Sequence, residues 1–387
     1  MKLIEHYIPA IKSHTRRFIN ERRGWRSDKK IVVIESDDWG SIRIPSKESR
    51  DRLQTMGVKL NFDTGYDYCD SLATETDLLN LMDVLNGVKD CNNNPARVTL
   101  NCVMANPDFN KISNDNYQKY HYEIITETFK RYNNCIKSFD LWKEGTTKGL
   151  FRPQFHGREH LNVQMWLNSL QKDLGNMRIA FNEGVFFPGV SYNDDHRQSH
   201  LRAFDVNNEN QYSFIKTSIG EGLDIFESLF GFKSTSMIAP NYTWDTEIEA
   251  FALAKGVKYI QGSYFQIYST LRHSITKKTG ECHYMGGLNN LGQTYLVRNC
   301  LWEPTNNPKL NNDYCLKGIE KAFKLKKPSI ISAHRLNFIG AIHPENRDKN
   351  LKQFTELLKI IVTKWPDVEF MSSDELGEVI KKDLESR

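Results

Sequence analysis

The chain has 387 residues, of which 39% are hydrophobic, and a formal net charge of +4. A charge this small gives no support to a nucleic-acid-binding function. No run of about 18 apolar residues is present, so the sequence predicts no membrane-spanning segment. The first residues also lack the apolar run of about 7–15 residues that is typical of a secretory signal. Seven cysteines without a C-x-x-C pair favour reduced thiols and a cytoplasmic location.

Residues 1–30 are predicted to form a leading amphipathic helix and a basic segment, "KSHTRRFINERRGWRSDKK". A solvated helix face is the favoured interpretation of this cluster of charges, and contact with a membrane surface or a polyanion is the alternative. Residues 31–387 are predicted to form one domain. Within it, residues 181–230 show weak periodicity, which indicates an insertion on the rim of the domain.

Several segments of this domain share one pattern, in which a short apolar run ends in polar residues and a helical stretch follows. Examples are "IVVIESDDWG" (31–40), "RVTLNCVMANPDF" (97–109) and "KPSIISAHRLNF" (327–338). Alternating strands and helices with near-continuous apolar strands predict an α/β fold, with a parallel sheet covered by helices. In α/β barrels the carboxyl ends of the strands carry the catalytic side chains. The polar strand ends are therefore the candidate site.

Two aspartates, Asp37 and Asp38, follow the first of these strands. Successive strand residues point to opposite faces, so both carboxylates can face one site only if the strand ends near Ser36 and turns. Gly40 makes such a turn possible. Because an unpaired carboxylate is costly to bury, we expect both aspartates at the mouth of the fold rather than in its core.

The sequence "HGREH" places His156 and His160 four residues apart at a predicted helix start, where both imidazoles can bind one ion. The sequence "DDHRQSH" gives His196 and His200 the same spacing. No strand leads into that second pair, so the first pair is favoured. A catalytic zinc site has three protein ligands and an open position for water, and two histidines with one strand-end aspartate would provide them.

In chain order, the Asp-Asp pair, H-x-x-x-H, a Pro-aromatic loop and a late-strand histidine resemble the polysaccharide deacetylase family (carbohydrate esterase family four), from about Ile31 to Phe338. The resemblance implies a distorted (β/α) barrel of about seven parallel strands and a divalent metal ion, with Zn²⁺ expected. It implies that Asp37 is the catalytic base and that His334, in "IISAH", is the general acid. It also implies these metal ligands: Asp38, His156 and His160.

The sequence departs from the family pattern at two positions. Gly157 stands where the family has serine or threonine. Ile238, two residues before Pro240, stands where the family has the arginine that orients the base. Arg152 and Arg158 are the candidates for this missing role.

The "LWEP" segment resembles an aromatic-acid motif of the family. The resemblance implies that Trp302 lines the site and that Glu303 polarises His334. Aromatic rings commonly pack against sugars through their apolar faces. The candidate substrate-binding residues are Trp39, Tyr242, Trp244 and Trp302.

Together these features predict an enzyme, a metal-dependent hydrolase that removes an acetyl group from an N-acetylated sugar or polysaccharide by cleaving a carbon–nitrogen bond. The expected partner is the N-acetylated sugar or glycan, with no nucleic acid. Two alternatives stay open. One is a non-catalytic glycan-binding or scaffold protein on the same barrel. The other is a glycoside hydrolase, which in its retaining form needs two carboxylates about 5 Å apart.

Overall fold

The computed structural model describes residues 20–62, 64–132, 134–186 and 200–386. Residues 1–19, which hold most of the predicted leading helix, and His196 lie outside the described residues. Across the described residues, no helix is both long and apolar enough to cross a membrane.

A parallel sheet forms the centre of the protein. The strands are β1 (Lys30–Trp39), β2 (Val98–Cys102), β3 (Ala105–Pro107), β4 (Tyr122–Ile124), β5 (Phe151–Phe155), β6 (Ser236–Ile238), β7 (Tyr259–Gly262), β8 (Phe265–Ile267), β9 (Gly280–Cys282), β10 (Thr294–Val297), β11 (Cys300–Leu301), β12 (Ser329–His334) and β13 (Val368–Met371). In the sheet their order is β10-β7-β6-β5-β2-β1-β12-β11, and β13 pairs with the start of β1. The pairs β3–β4 and β8–β9 are separate and antiparallel.

Helices follow most of the strands. They are α1 (Lys47–Thr55), α2 (Gly65–Tyr68), α3 (Glu75–Asn86), α4 (Phe109–Asn114), α5 (Ile125–Lys130), α6 (Ser138–Thr147), α7 (Val163–Gln171), α8 (Met177–Asn182), α9 (Glu209–Phe230), α10 (Thr246–Ala254), α11 (Thr270–Thr276), α12 (Asn312–Lys324), α13 (Pro344–Lys364) and α14 (Ser373–Glu385). The predicted capping box is present at the start of α14, where Ser372 and Glu375 satisfy each other's backbone N–H groups. Short 3₁₀ turns follow β6 and β12.

The two outer strands of the sheet order, β10 and β11, are separated in the chain only by Arg298 and Asn299. The N–H of Arg298 donates to the Gly262 carbonyl of β7 at 2.8 Å, and the N–H of Asn299 donates to the Ile330 carbonyl of β12 at 3.3 Å. One bent strand therefore pairs with β7 on one side and with β12 on the other, which closes the sheet. Counting this strand once, and leaving aside β13, which pairs only with the start of β1, gives a barrel of seven parallel strands and confirms the predicted fold class.

β1 is buried on both faces, which explains its continuous apolar sequence. Val32 and Ile34 belong to the large core beneath the outer helices. Ile31 and Val33 pack in a smaller core that contains Leu376 and Ile380 of α14. The helix α14 thus fills the end of the barrel opposite the strand ends that carry the polar residues.

Residues 209–230 differ from the predicted rim insertion, because they form the 22-residue helix α9. This helix contacts β5 and α10 and belongs to the outer helical layer of the barrel. Glycines and polar residues between its apolar positions weaken the periodicity that would reveal it in the sequence. Its side chains in the main core are Ile215, Ile219, Leu223 and Phe226.

Candidate active site

The end of β1 brings both aspartates to one cavity. The pairing of β1 with β2 shifts register between Ser36 and Trp39, and Asp38 has a φ of 70°. Aspartate adopts this left-handed conformation more readily than most residues do. The turn expected near Gly40 thus includes Asp38 itself. In a regular strand the side chains of Asp37 and Asp38 would point to opposite faces of the sheet, and this turn brings them to the same side.

Arg335 holds this irregular backbone in place. Its buried guanidinium donates from Nη1 to the carbonyl oxygens of Asp38 and Ser41, both at 2.6 Å. From Nη2 it donates to Asp70 Oδ1 at 2.7 Å. Hydrogen bonds from a charged donor are among the stronger ones in proteins. Because Arg335 directly follows β12, it ties the end of that strand to the end of β1.

Asp37 is held by three side-chain donors. Arg298 donates from Nη1 to Oδ2 at 2.7 Å and from Nη2 to Oδ1 at 2.6 Å, and Asn101 Nδ2 donates to Oδ1 at 2.7 Å. Burial alone would raise the pKa of Asp37, but the charge and hydrogen bonds of Arg298 hold that pKa well below its usual value. Arg298 Nε also donates to Glu35 Oε2 at 2.5 Å. One guanidinium therefore bridges two buried carboxylates.

Neither Arg152 nor Arg158, the two candidates for the base-orienting arginine, contacts Asp37. Arg152 pairs with Asp374 at 2.7 Å, and Arg158 pairs with Glu159 at 2.6 Å. Arg298, at the bend between β10 and β11, provides the contact instead. A sequence signal for it exists, because "YLVRN" is an apolar run that ends in a charged residue, like the other strand ends.

His156 and His160 converge through a loop and not through helical spacing, which corrects the sequence analysis. His156 directly follows β5, and α7 begins only at Val163. Between the two histidines, Gly157 has a φ of 108°, and a Cβ atom there would lie 2.9 Å from the Glu159 carbonyl oxygen. Serine or threonine at this position would be strained, so the departure from the family pattern has a local structural cause.

Three candidate metal ligands, Asp38, His156 and His160, present ligand atoms that all lie within 4.8 Å of one another. Asp38 Oδ1 is 3.5 Å from His156 Nε2 and 3.4 Å from His160 Nε2. Ligand atoms about 2.1 Å from one tetrahedral ion are about 3.4 Å apart, so these two distances fit such an ion.

The surroundings of the two imidazoles also suit metal binding. His156 Nδ1 is hydrogen-bonded to the Ile238 carbonyl at 2.9 Å, which fixes the tautomer and leaves Nε2 toward Asp38. That buried Nε2 has no hydrogen-bond partner in the described part of the chain. Burial lowers the pKa of His160 to about 3, so its ring is neutral near pH 7.

The rival histidine pair can be followed only at His200. Its Nε2 lies 3.0 Å from Ser169 Oγ, and burial lowers the pKa of its imidazole to about 4. Within the described ranges, only one group of three potential metal ligands is present, and it consists of Asp38, His156 and His160. The preference for His156 and His160 as ligands stays a prediction.

His334, at the end of β12, is paired with Glu303. Its Nδ1 is hydrogen-bonded to Glu303 Oε1, and Asn337 Nδ2 donates to the other oxygen of that carboxylate at 2.8 Å. Burial opposes a charged imidazole, but Glu303 outweighs it and raises the pKa of His334 to about 9. Its Nε2 is 3.9 Å from Asp37 Oδ2, too far for a hydrogen bond. A protonated His334 can therefore donate to a bound substrate.

Three of the four predicted substrate-binding aromatics are buried. Trp39, Trp244 and Trp302 expose 1%, 1% and 0% of their surface. A ring without exposed surface cannot stack on a sugar, so the prediction for these three residues is wrong. Tyr242 does line the cavity, with a hydroxyl that accepts from Arg298 at 3.1 Å. Its substrate-binding role stays a prediction.

The predicted catalytic and metal-binding residues all line one cavity of about 440 Å³. Two arginines, Arg43 and Arg202, also reach it. Arg43 lies 3.6 Å from Asp38 Oδ2, so the candidate ligand carboxylate has a cation beside it. The apolar side chains of the lining are Leu201, Ile238, Ala239 and Ile267.

No protein-family profile and no curated protein sequence matches the chain. A solved structure similar to it is a probable polysaccharide deacetylase from Pseudomonas aeruginosa PAO1, with 10% identity, 91% of both chains covered and a TM-score of 0.45. A putative polysaccharide deacetylase from Mycobacterium smegmatis has 10% identity, 93% of both chains covered and a TM-score of 0.42. A 4-alpha-glucanotransferase from Thermococcus litoralis has 9% identity and a TM-score of 0.44 over 90% of this chain, which spans only 40% of that protein. At such identities the reaction must be inferred from the side chains.

Proposed function

We propose that the protein is a metal-dependent hydrolase that removes the acetyl group from an N-acetylated sugar or glycan. One observation carries the proposal: His334 Nε2 and the Asp37 carboxylate lie 3.9 Å apart beside three candidate metal ligands. Amide hydrolysis needs a proton acceptor for water, a proton donor for the leaving nitrogen and stabilisation of the developing oxyanion.

Asp38, His156 and His160 would hold a divalent ion. Two imidazoles and one carboxylate are a ligand set that suits Zn²⁺, which is therefore the expected ion. When bound, such an ion lowers the pKa of water toward neutrality and polarises an acyl oxygen. The ring of His156 is already oriented for this role by its hydrogen bond to the Ile238 carbonyl.

Asp37 acts as the general base in this proposal. Its lowered pKa keeps it ionised, and Arg298 with Asn101 fixes its plane. His334 donates its Nε2 proton to the leaving nitrogen, and Glu303 stabilises the charged ring that does so. The pKa of Asp37 is lowered and the pKa of His334 is raised, so one group stays ionised as a proton acceptor while the other stays protonated as a proton donor.

A glycoside hydrolase is less well supported. Such an enzyme needs one carboxylic acid that stays protonated until it donates to the leaving oxygen. The pKa values of Asp37 and Asp38 both lie below their usual range. For Asp38, burial would raise the pKa, but His160 and His156 outweigh it.

We expect purified protein to contain a divalent metal and to release acetate from at least one N-acetylated sugar or oligosaccharide. Removing the metal with a chelator should abolish release, and added Zn²⁺ should restore it. The measurements are elemental analysis and acetate quantification across a panel of acetylated sugars. Metal-free protein that binds glycan and releases no acetate would contradict the proposal and support the non-catalytic alternative.

Glu303→Gln should move the alkaline limb of kcat/KM to lower pH. Glu303 is what raises the pKa of His334 to about 9, so wild type keeps the acid form below that value. Without this carboxylate, burial dominates and the pKa of His334 falls, so the acid form is lost at lower pH. The pH profile measures the shift. An unchanged alkaline limb would remove His334 as the general acid.

We also propose that the protein works in the cytoplasm. All seven cysteines are free thiols, and most of them are buried. Reducing compartments preserve such thiols, whereas secreted proteins usually pair them. Cell fractionation checks this location.

A further inference from the structure

Arg43, between β1 and α1, is a buried cation that lines the cavity. It exposes 7% of its surface, and its buried Nε has no hydrogen-bond partner in the described part of the chain. The carboxylates that pair with it, those of Asp38 and Asp70, both lie 3.6 Å away, too far for a hydrogen bond. Buried polar groups in native proteins almost always have such a partner. The described side chains therefore leave donors of Arg43 available at the cavity.

Arg43 also lacks a carboxylate of its own. Asp70 is already paired with Arg335, whose Nη2 donates to it at 2.7 Å. Asp38 is a candidate metal ligand, and a divalent ion there would more than neutralise its charge. Asp67 also lines the cavity, but burial raises its pKa and so opposes its negative charge. With the ion bound, the positive charges among these groups outnumber the negative ones.

Arg43 lies on the side of the cavity where the sugar of the substrate would bind, and this step rests on the proposed function. Its guanidinium carbon is 5.3 Å from the centroid of the Tyr66 ring. That ring meets the His334 ring edge-on, with centroids 5.5 Å apart. His334 donates its proton to the leaving nitrogen, which stays on the sugar. The sugar therefore lies toward His334 and Tyr66, next to Arg43.

We propose that Arg43 binds an anionic substituent of the N-acetylated sugar, either a carboxylate or a phosphate, and that the protein acts on acidic N-acetylated sugars. A guanidinium carries paired donors in one plane, which match the oxygens of both groups. Arg202, a second arginine of the cavity lining, adds positive potential there. A neutral sugar would leave the charge of Arg43 uncompensated, so this residue selects against it.

Binding is tested in the zinc-loaded Asp37→Asn background, which turns over slowly and so keeps each probe intact. The neutral probe is N-acetylglucosamine, and the anionic probes are N-acetylglucosaminuronic acid, N-acetylglucosamine 6-phosphate and N-acetylglucosamine 1-phosphate. By calorimetry, at least one anionic probe should have a Kd roughly 10–100-fold below that of the neutral sugar. Raising the salt concentration should weaken the binding of that probe and leave the neutral sugar unaffected. The identity of the preferred probe distinguishes a carboxylate from a phosphate.

Arg43→Gln in the same background should remove this preference. The Kd of the anionic probe should rise roughly 10–100-fold, and that of the neutral sugar should stay within about twofold. Arg43→Lys keeps the charge and loses the planar pair of donors, so its Kd for the anionic probe should be intermediate. In the active enzyme, Arg43→Gln should raise KM for the acidic sugar and leave kcat and bound zinc within about twofold.

Arg52→Gln is the matched control for the loss of one positive charge. The Arg52 side chain is 54% exposed and lies outside the cavity lining, so this variant should change no constant for any probe. If Arg43→Gln fails to fold, the comparison of probes on the intact site and on Arg43→Lys decides the question in its place.

A site that binds none of the anionic probes better than the neutral sugar would overturn the role of Arg43. An Arg43→Gln variant that loses bound zinc, or that weakens neutral and anionic probes equally, would also overturn it, because Arg43 would then only support Asp38. Acetate release without any preference for acidic sugars would overturn this role and leave the proposed hydrolase standing. An anion preference that depends on Arg43, without acetate release from any probe by the wild type, would overturn the hydrolase and leave the anion site standing.

Discussion

Replacing Asp37 by asparagine should slow acetate release by roughly 10²–10⁴ and leave bound metal at the wild-type level. The amide cannot accept the proton that Asp37 takes from water. In the wild type, Arg298 and Asn101 donate to both carboxylate oxygens of Asp37. In the variant, the NH₂ group of the new asparagine would face one of these donors and could not accept from it. A moderate drop in Tm should accompany the loss of rate, because a buried donor is left unsatisfied.

Asp38→Asn is the matched comparison, since it makes the same chemical change one residue later. It removes a charged ligand of the metal. Loss of a residue that only hydrogen-bonds to a metal ligand typically costs about 10–100-fold in metal affinity, so the loss here should be larger. Excess Zn²⁺ should restore part of the activity of Asp38→Asn and none of that of Asp37→Asn. Elemental analysis with a zinc titration separates them. If Asp37→Asn proves to be the metal-free variant, the assigned roles of base and ligand are wrong.

Arg298→Met should damage both stability and catalysis. Glu35 and Asp37 share the Arg298 guanidinium, and its side chain is only 3% exposed. Removing one member of a buried ion pair leaves uncompensated charge and costs about 3–5 kcal/mol. Asp37 would also lose its orientation, and misplacement of a catalytic group by about 1 Å can cost about 10²-fold in rate. Chemical denaturation and acetate release measure the two effects.

Two further variants separate these effects. Arg298→Lys keeps the charge but loses the planar set of donors, so it should recover more stability than activity. Adding Glu35→Gln to Arg298→Met removes one of the stranded carboxylates and should restore part of the free energy of unfolding, with activity staying low. If the double variant is as active as wild type, Arg298 does not position Asp37.

The strand ends could be predicted from the sequence because each is a local pattern. An apolar run followed by Asp37 and Asp38, or one ending in His334, indicates a parallel strand and its exit without any knowledge of distant residues. The barrel then brings these exits to one rim. The convergence of His156 and His160 was predicted for the wrong reason, since it comes from the loop at Gly157 rather than from a helix.

Arg298 and the tryptophans show where local patterns stop being informative. The contact of Arg298 with Asp37 spans 261 residues and depends on which strand lies opposite, which no short segment specifies. The direction of Trp39 depends on the register shift beside it, and its Nε1 donates to Ser36 Oγ in the core. A tryptophan next to a catalytic motif looks the same in the sequence whether it faces substrate or core.

The bent strand formed by β10 and β11 has a consequence for the time course of folding. Both the closure of the barrel and the contact of Arg298 with Asp37 depend on it, and that contact joins residues 261 positions apart. Contacts between distant residues require large loops to close and tend to form late. During refolding, acetate release should therefore recover late, once this strand has paired with both of its neighbours.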